Sequence, residues 1–277
     1  MYLEHFGLRE LPFGITPDTS FAFAGTAHQE ALNTLLIALK SGEGFIKITG
    51  EVGTGKTLLC RRLLSTLGDD TVSAYLPNPY LEPRTLMLAL AEELGVDLDK
   101  EADQYHLLKG LNQALLEFAR QNRSVVLCLD EAQALPMESL ESLRLLSNLE
   151  TEKRKLLQLV LFGQPELDER LANPSVRQLR QRISFHYRLG GLKSDEMELY
   201  LAHRLRVAGY RGHRVFPRAT ARLIHRAANG TPRLINILAH KAMLAAYGEG
   251  RQEVALRNVK AAARDTEGAR LPSWRMW

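Results

Sequence analysis

Several groups of residues in this 277-residue chain have the types and spacing for phosphate chemistry. Gly50-Glu51-Val52-Gly53-Thr54-Gly55-Lys56-Thr57 fits the pattern GxxxxGK(S/T) at every fixed position. Glycines let the backbone turn tightly round a phosphate, so that amide N–H groups at a helix N-terminus meet the anion with their partial positive charge. Lys56 can then reach the β and γ phosphates of ATP. Thr57 can place its hydroxyl on Mg²⁺, an ion that prefers near-octahedral oxygen ligands and keeps several waters. The expected nucleotide-binding set runs from Gly50 to Leu58. An apolar run, Phe45 to Ile48, precedes it and a helix-favouring run, Leu58 to Leu67, follows, which an ordinary glycine-rich turn would not require.

A second group is Asp130-Glu131, delivered by the apolar run Val125-Val126-Leu127-Cys128-Leu129. Asp130 would join Thr57 in holding Mg²⁺, through water, and Glu131 would orient and activate an attacking water. A helix-capping acidic pair uses the same residue types, but the upstream phosphate motif favours hydrolysis. Gln164, in Leu161-Phe162-Gly163-Gln164-Pro165, could position water or report hydrolysis; a plain turn before Glu166 accounts for it equally well. In Arg177-Gln178-Leu179-Arg180-Gln181-Arg182-Ile183, one arginine could reach across a subunit boundary to a γ-phosphate, where positive charge is worth ~10³ or more in rate. Arg182 is the first choice and Arg180 the second; surface ion pairs are the alternative. Arg233, in Gly230-Thr231-Pro232-Arg233, falls in a helix's first turn, which suits a bound phosphate rather than the helix dipole.

The elements that must position these residues alternate. Strands are expected at Phe45 to Thr49, Val72 to Leu76, Val125 to Leu129, Leu157 to Phe162 and Ser184 to Leu189. Between them lie helices at Lys56 to Leu67, Pro83 to Leu94, Asp103 to Asn122 and Ser139 to Leu149, the pattern of an α/β fold with a parallel sheet covered on both faces. Before the first strand, an irregular segment rich in Phe, Pro and Gly leads to a helix from His28 to Lys40. There His28 or Phe23 could touch an adenine, or serve as a surface imidazole and a core aromatic. After Gly190-Gly191 the period is wholly helical: Asp195 to Val207, Pro217 to Ala228, Pro232 to Tyr247 and Glu253 to Arg264, with Ser194 as an N-cap candidate. The expected organisation is a nucleotide-binding αβα domain with its N-terminal arm (1–190), a small all-helical lid (191–266), and a tail (267–277) that reads by default as a disordered end, with a docking peptide carrying Trp274 and Trp277 as the alternative.

Composition narrows the class. No apolar stretch approaches the roughly 18 residues that span a bilayer, and the first residues lack a basic, then apolar, leader, so a cytoplasmic protein without a transmembrane segment is expected. Cys60 and Cys128 sit in apolar runs without metal-ligand spacing and read as small core residues. The net charge of +4 conceals 12 Lys and Arg against 21 Asp and Glu in residues 1–150, and 24 against 11 in residues 151–277. A basic half admits DNA or an acidic partner, and equally arginines for phosphates and neighbouring subunits.

Together these pieces resemble the AAA+ ATPases, which are P-loop NTPases, and within them the ExeA/GspA secretion type in the shorter form of MSHA pilus biogenesis, the MshM type. The carriers are Phe6-Gly7-Leu8 to Pro12-Phe13, Phe23 to His28 and Ala31, Gly50 to Thr57, Leu129-Asp130-Glu131-Ala132-Gln133, Gly163-Gln164-Pro165-Glu166-Leu167, Arg180-Gln181-Arg182-Ile183 and Gly230-Thr231-Pro232-Arg233-Leu234-Ile235-Asn236. The resemblance implies Walker A at Gly50 to Thr57, Walker B at Asp130 and Glu131, sensor 1 at Gln164, an arginine finger near Arg182 and sensor 2 at Arg233. Gln164 is longer than the Asn, Ser or Thr common at sensor 1. It further implies an ATP- and Mg²⁺-dependent homo-oligomer, ring-like, working with pilus or secretion assembly proteins at the inner membrane. The membrane span and peptidoglycan-binding region of the longer relatives are not expected here. A DNA-dependent ATPase of transposition or recombination is the alternative; a DEAQ-type helicase, suggested by Asp130 to Gln133, would need a second RecA-like domain, which is not expected here.

Overall fold

The computed structural model describes residues 2–150 and 155–270, so Trp274 and Trp277, on which the docking alternative for the tail rests, lie outside the described residues. In chain order the elements are α1 (Tyr2–Phe6), α2 (Thr26–Lys40), β1 (Phe45–Thr49), α3 (Lys56–Thr66), β2 (Thr71–Leu76), α4 (Pro83–Glu93) and α5 (Gln104–Arg120). Then come β3 (Ser124–Leu129), α6 (Met137–Leu146), β4 (Gln158–Gly163), α7 (Glu166–Leu171), α8 (Arg177–Gln181) and β5 (Phe185–Arg188). Four helices follow: α9 (Met197–Val207), α10 (Arg218–Ala228), α11 (Pro232–Gly248) and α12 (Leu256–Arg264).

The five strands form one parallel sheet in the order β2-β3-β4-β1-β5. Every residue of β1 and β4, and all of β3 but Ser124, is buried, as a parallel sheet covered on both faces requires. The α/β fold expected from the sequence is therefore present. Parallel strands end at one common edge, so the segments after β1, β3 and β4 emerge together there, beginning with Gly50, Asp130 and Gln164. Arg182 precedes β5 and lies at the opposite edge.

Two compact units divide the chain. One comprises residues 30–52 and 59–189 and contains the sheet; the other comprises 1–29, 53–58 and 190–277. In the first, Phe45, Leu127, Leu159 and Leu161 share a core with Leu86, Met87 and Leu90 of α4 and Leu107, Leu111 and Leu115 of α5. In the second, Phe6, Leu8, Phe13 and Phe21 are buried with Met197, Leu201, Ile224, Ile235 and Leu238. The opening segment, expected as an arm of the nucleotide-binding domain, thus has its core contacts among α9 to α11, because its aromatics fill gaps between those helices. Buried Arg204 of α9 ties it further, donating to the carbonyls of Pro12 at 2.6 Å and Gly14 at 3.2 Å.

A few boundaries move for identifiable reasons. Arg177 to Gln181 coils into the short α8 before β5. Helix α6 starts two residues early because Pro136, with no N–H to lose, occupies its N-cap. Helix α12 starts at Leu256 rather than Glu253, where the Asn258 side chain accepts the Ala255 N–H. Ser194 does not cap α9; Glu196 stands at that N-cap and spends its carboxylate on the Lys193 N–H and on the N–H and hydroxyl of Thr26, the first residue of α2.

Candidate functional site

Gly53 and Gly55 adopt φ of 78° and 96°, left-handed conformations that suit glycine and allow the loop to turn inside the motif. Close neighbours forbid side chains at both. A Cβ on Gly53 would lie 2.5 Å from the Arg233 Cβ, and one on Gly55 would lie 2.7 Å from the His28 Nε2. The Arg233 main-chain N–H donates to the Gly53 carbonyl at 3.2 Å, so an otherwise unpaired N–H in the first turn of α11 is satisfied by the loop. Of the two aromatic candidates upstream, His28 meets the loop, whereas Phe23 packs edge-on to Tyr200 as a core ring. Thr54 and Lys56 are buried, Thr57 is half-buried in the first turn of α3, and Glu51 and Val52 are exposed. Bare glycine backbone, a lysine and a hydroxyl at a helix start fit a phosphate chain with its Mg²⁺.

Asp130 is buried at the end of β3, where its N–H still pairs with the Leu76 carbonyl of β2 at 3.0 Å. Its carboxylate accepts the Glu131 N–H at 3.0 Å and the Tyr75 hydroxyl at 3.4 Å. Burial, and then the Asp130 charge, push the Tyr75 phenol up to about 12, so it remains a donor. Glu131 takes φ 51° and ψ 39°, a left-handed conformation costing ~1–2 kcal/mol for a residue with a Cβ. Strain of this kind concentrates at functional sites.

Its side chain makes no capping bond, which removes the helix-cap alternative for Glu131. Instead Oε2 accepts from Gln133 Nε2 at 2.5 Å and from Gln164 Nε2 at 3.0 Å. Gln164 also forms the expected turn, its carbonyl accepting the Leu167 N–H at 2.9 Å, so its main chain serves the turn while its side chain meets Glu131.

Arg180 and Arg182 lie apart from the cluster of Asp130, Glu131 and Gln164. Arg182 Nη1 donates to the Ser147 carbonyl at 3.3 Å and lines a cavity of about 590 Å³ with Gly44, Phe45, Ser147 and Lys155. Gly44 and Phe45 mark the start of β1, so this is the sheet edge away from Gly50. Arg180, exposed in the last turn of α8, has no hydrogen bond or ion pair among the described residues.

Sequence reasoning missed two partners, Gln133 and Tyr75. Tyr75 is legible only through register, since it pairs with Cys128 two residues before Asp130. Gln133 stands two residues after Glu131, but only the left-handed turn at Glu131 folds it back. The two cysteines are free and buried, as expected. No helix of the described residues is long and apolar enough to cross a membrane, and no cluster of three or more His, Cys, Asp and Glu suited to a metal occurs among them.

Known proteins can now be set beside this geometry. Residues 39–171 match the family model described as AAA domain. General secretion pathway protein A of Aeromonas hydrophila is 43% identical over 271 residues, covering 98% of this chain and 49% of that protein, so the chain spans about half the length of this relative. Among solved structures, the Pyrobaculum aerophilum Cdc6p is 21% identical, with 90% of this chain and 70% of that one covered at a TM-score of 0.69. The Aeropyrum pernix ORC2 protein, in ADPNP-ADP complexes, is 20% identical, with 93% and 74% covered at 0.66. The Thermotoga maritima RuvB branch migration motor is 18% identical, with 86% and 68% covered at 0.56; at such identities the likeness is one of fold. Residues 39–171 thus match an AAA domain, and the chain that carries them has a five-stranded parallel α/β fold like that of these solved structures.

Proposed function

We propose that the protein binds ATP with Mg²⁺ and hydrolyses it, and that it acts as an oligomeric switch or motor in envelope secretion or MSHA-like pilus assembly. The observation that carries the chemistry is Glu131, held by two carboxamides at the sheet edge from which the phosphate loop departs. Gly50 to Leu58 cradle the phosphates, Lys56 meets the β and γ groups, and Thr57 and Asp130 hold Mg²⁺, which when bound offsets phosphate charge. Glu131 takes the proton of the attacking water as its oxygen bonds to the γ-phosphorus, and the bond to ADP breaks. Gln164 positions that water. Arg233 reads the nucleotide from the first turn of α11, with residues 191–266 as a lid.

Arg182 completes the site of a neighbouring subunit. Five residues of β1 separate the two sheet edges by about 16 Å at the usual strand rise, further than an arginine side chain extends. A ring-like homo-oligomer is the arrangement that brings such an edge to a neighbour's phosphates. The cellular setting rests on the 43% identical secretion pathway relative, with components of such a system at the inner membrane as partners.

The test is ATP binding and turnover. Lys56→Ala should lose nucleotide binding, and Glu131→Gln should bind ATP yet turn it over at least ~10²-fold more slowly. Binding retained by Lys56→Ala would overturn the assignment of the phosphate loop. A second reading, a DNA-dependent ATPase of transposition or recombination, is favoured by exposed Arg218, Arg222 and Arg226, one stripe along α10. It predicts DNA binding that weakens steeply with salt, and no binding at low salt would remove it.

A further inference from the structure

Gln133 is the residue that the hydrolytic reading does not account for. It lies in the single 3-10 turn, Ala132–Ala134, that follows Glu131. Its carboxamide is used at both ends. Oε1 accepts the main-chain N–H of Gln164 at 3.0 Å, and Nε2 donates to Glu131 Oε2 at 2.5 Å. The orientation of the amide is unambiguous, because a main-chain N–H can only donate and a carboxylate can only accept.

The surrounding residues make room for this bridge and hold its far end. A Cβ on Gly163 would lie 2.7 Å from Leu167 Cδ2 and 3.3 Å from Gln133 Oε1, so the absence of a side chain at the end of β4 leaves space for the amide. The Gly163 carbonyl accepts the Gly50 N–H at 3.1 Å, which fixes the same turn to the first residue of the phosphate loop. Gln164 then adds its own Nε2 to Glu131 Oε2 at 3.0 Å. Gln133 therefore joins the end of β3 to the end of β4 exactly where two functional side chains must agree in position.

We propose that Gln133 is a positioning residue for hydrolysis: it locks the Glu131 carboxylate and the Gln164 turn into one unit, so that base and water-positioning amide hold a fixed separation. This rests on the reading of Glu131 as the base. The bridge touches neither the phosphates nor the attacking water. Its loss should leave nucleotide affinity alone and lower the rate of the chemical step, since a displacement near 1 Å in such an arrangement costs ~10²-fold.

The experiment compares Gln133→Ala, Gln133→Glu and Glu131→Gln in the full chain, measuring ATP affinity, kcat, KM and thermal melting. Gln133→Ala should keep ATP affinity and KM within about twofold while kcat falls about 10–100-fold. Gln133→Glu supplies a readout that a merely structural residue would not move. As a carboxylate it repels Glu131 and loses its donor; as a neutral acid its O–H can donate to Glu131 while its C=O accepts the Gln164 N–H. Its kcat relative to that of the unaltered protein should therefore rise as pH is lowered from 8 towards 6.

If Glu131→Gln is inactive while Gln133→Ala turns over at the unaltered rate, the bridge is overturned and the base assignment stands. If Glu131→Gln keeps full turnover, both fall. A drop in kcat for Gln133→Ala that is matched by lost ATP affinity, or a Gln133→Glu ratio that does not change with pH, also overturns the bridge. Should Gln133→Ala melt below the assay temperature, the pH series on Gln133→Glu decides alone.

Discussion

The two edges of the sheet are built from the same strands and put to opposite uses. At the carboxyl edge, polar side chains converge: Asp130, Glu131, Gln133 and Gln164 bond to one another or to neighbouring main chain, and the phosphate loop begins among them. At the amino edge the polar groups face a cavity instead. Among the described residues, Arg182 bonds to the Ser147 carbonyl and, at 3.5 Å, its hydroxyl, and Lys155 pairs with exposed Glu150. One edge is a set of groups bonded to one another and to neighbouring main chain, where the phosphate-loop motif begins. The other presents an arginine held by two long bonds, as the role proposed for it at a neighbouring subunit would need.

Substitutions sharpen that contrast, beginning with the largest effect. Arg182→Ala should lower kcat by ~10³-fold with ATP binding intact, because it removes charge from the transition state and not from the cradle. Arg180→Ala should stay within about threefold; the reverse order would move the finger to Arg180. Next, Gly163→Ala at the carboxyl edge forces a methyl against Leu167 and Gln133 Oε1. It should cost about 1–3 kcal/mol in a denaturant melt and about 10–100-fold in kcat. Tyr75→Phe removes one long hydrogen bond to Asp130 and should weaken Mg²⁺ dependence only a few-fold, read from the Mg²⁺ concentration at half-maximal rate.

The edges should also part company with pH. His186 of β5 bonds to Thr49, the last residue of β1, at 2.9 Å, and burial, then the Lys47 charge, hold its imidazole below the ordinary value. The folded state then resists a proton that the unfolded chain accepts near 6.5. Stability from this group is whole above that pH and falls as pH drops below it. At the amino edge the shifted group is Glu150, lowered by its bond to Lys155, and stability from it is lost only as pH falls below 4.5. Melts between pH 7.5 and 5.5 should slope, and His186→Gln should flatten part of that slope while Glu150→Gln leaves it unchanged.

Much of the architecture was legible because it rests on short-range pattern. Strands buried on both faces read as apolar runs, and Phe45 to Thr49 fell where expected, with the GxxxxGK(S/T) loop directly after it. Candidate site residues at the ends of elements, such as Asp130, Glu131 and Gln164, were legible from their place after those runs. What stayed hidden depends on tertiary approach. Glu196 caps a helix that starts 170 residues earlier, the aromatics of the opening segment find their core among α9 to α11, and Gln133 is turned back by one left-handed residue. The side of the sheet on which Arg182 falls was not read from spacing either; it follows from strand direction, once β5 is seen to run parallel to β1.

The central claim is that the carboxyl edge of one subunit is completed by the amino edge of another. Mixing Arg182→Ala with Lys56→Ala measures it directly, since one protein keeps an intact cradle and the other an intact finger. ATP turnover in the mixture well above the sum of the two separate proteins is the predicted result. Turnover no higher than that sum across all mixing ratios, with both proteins folded and assembled together, would contradict it.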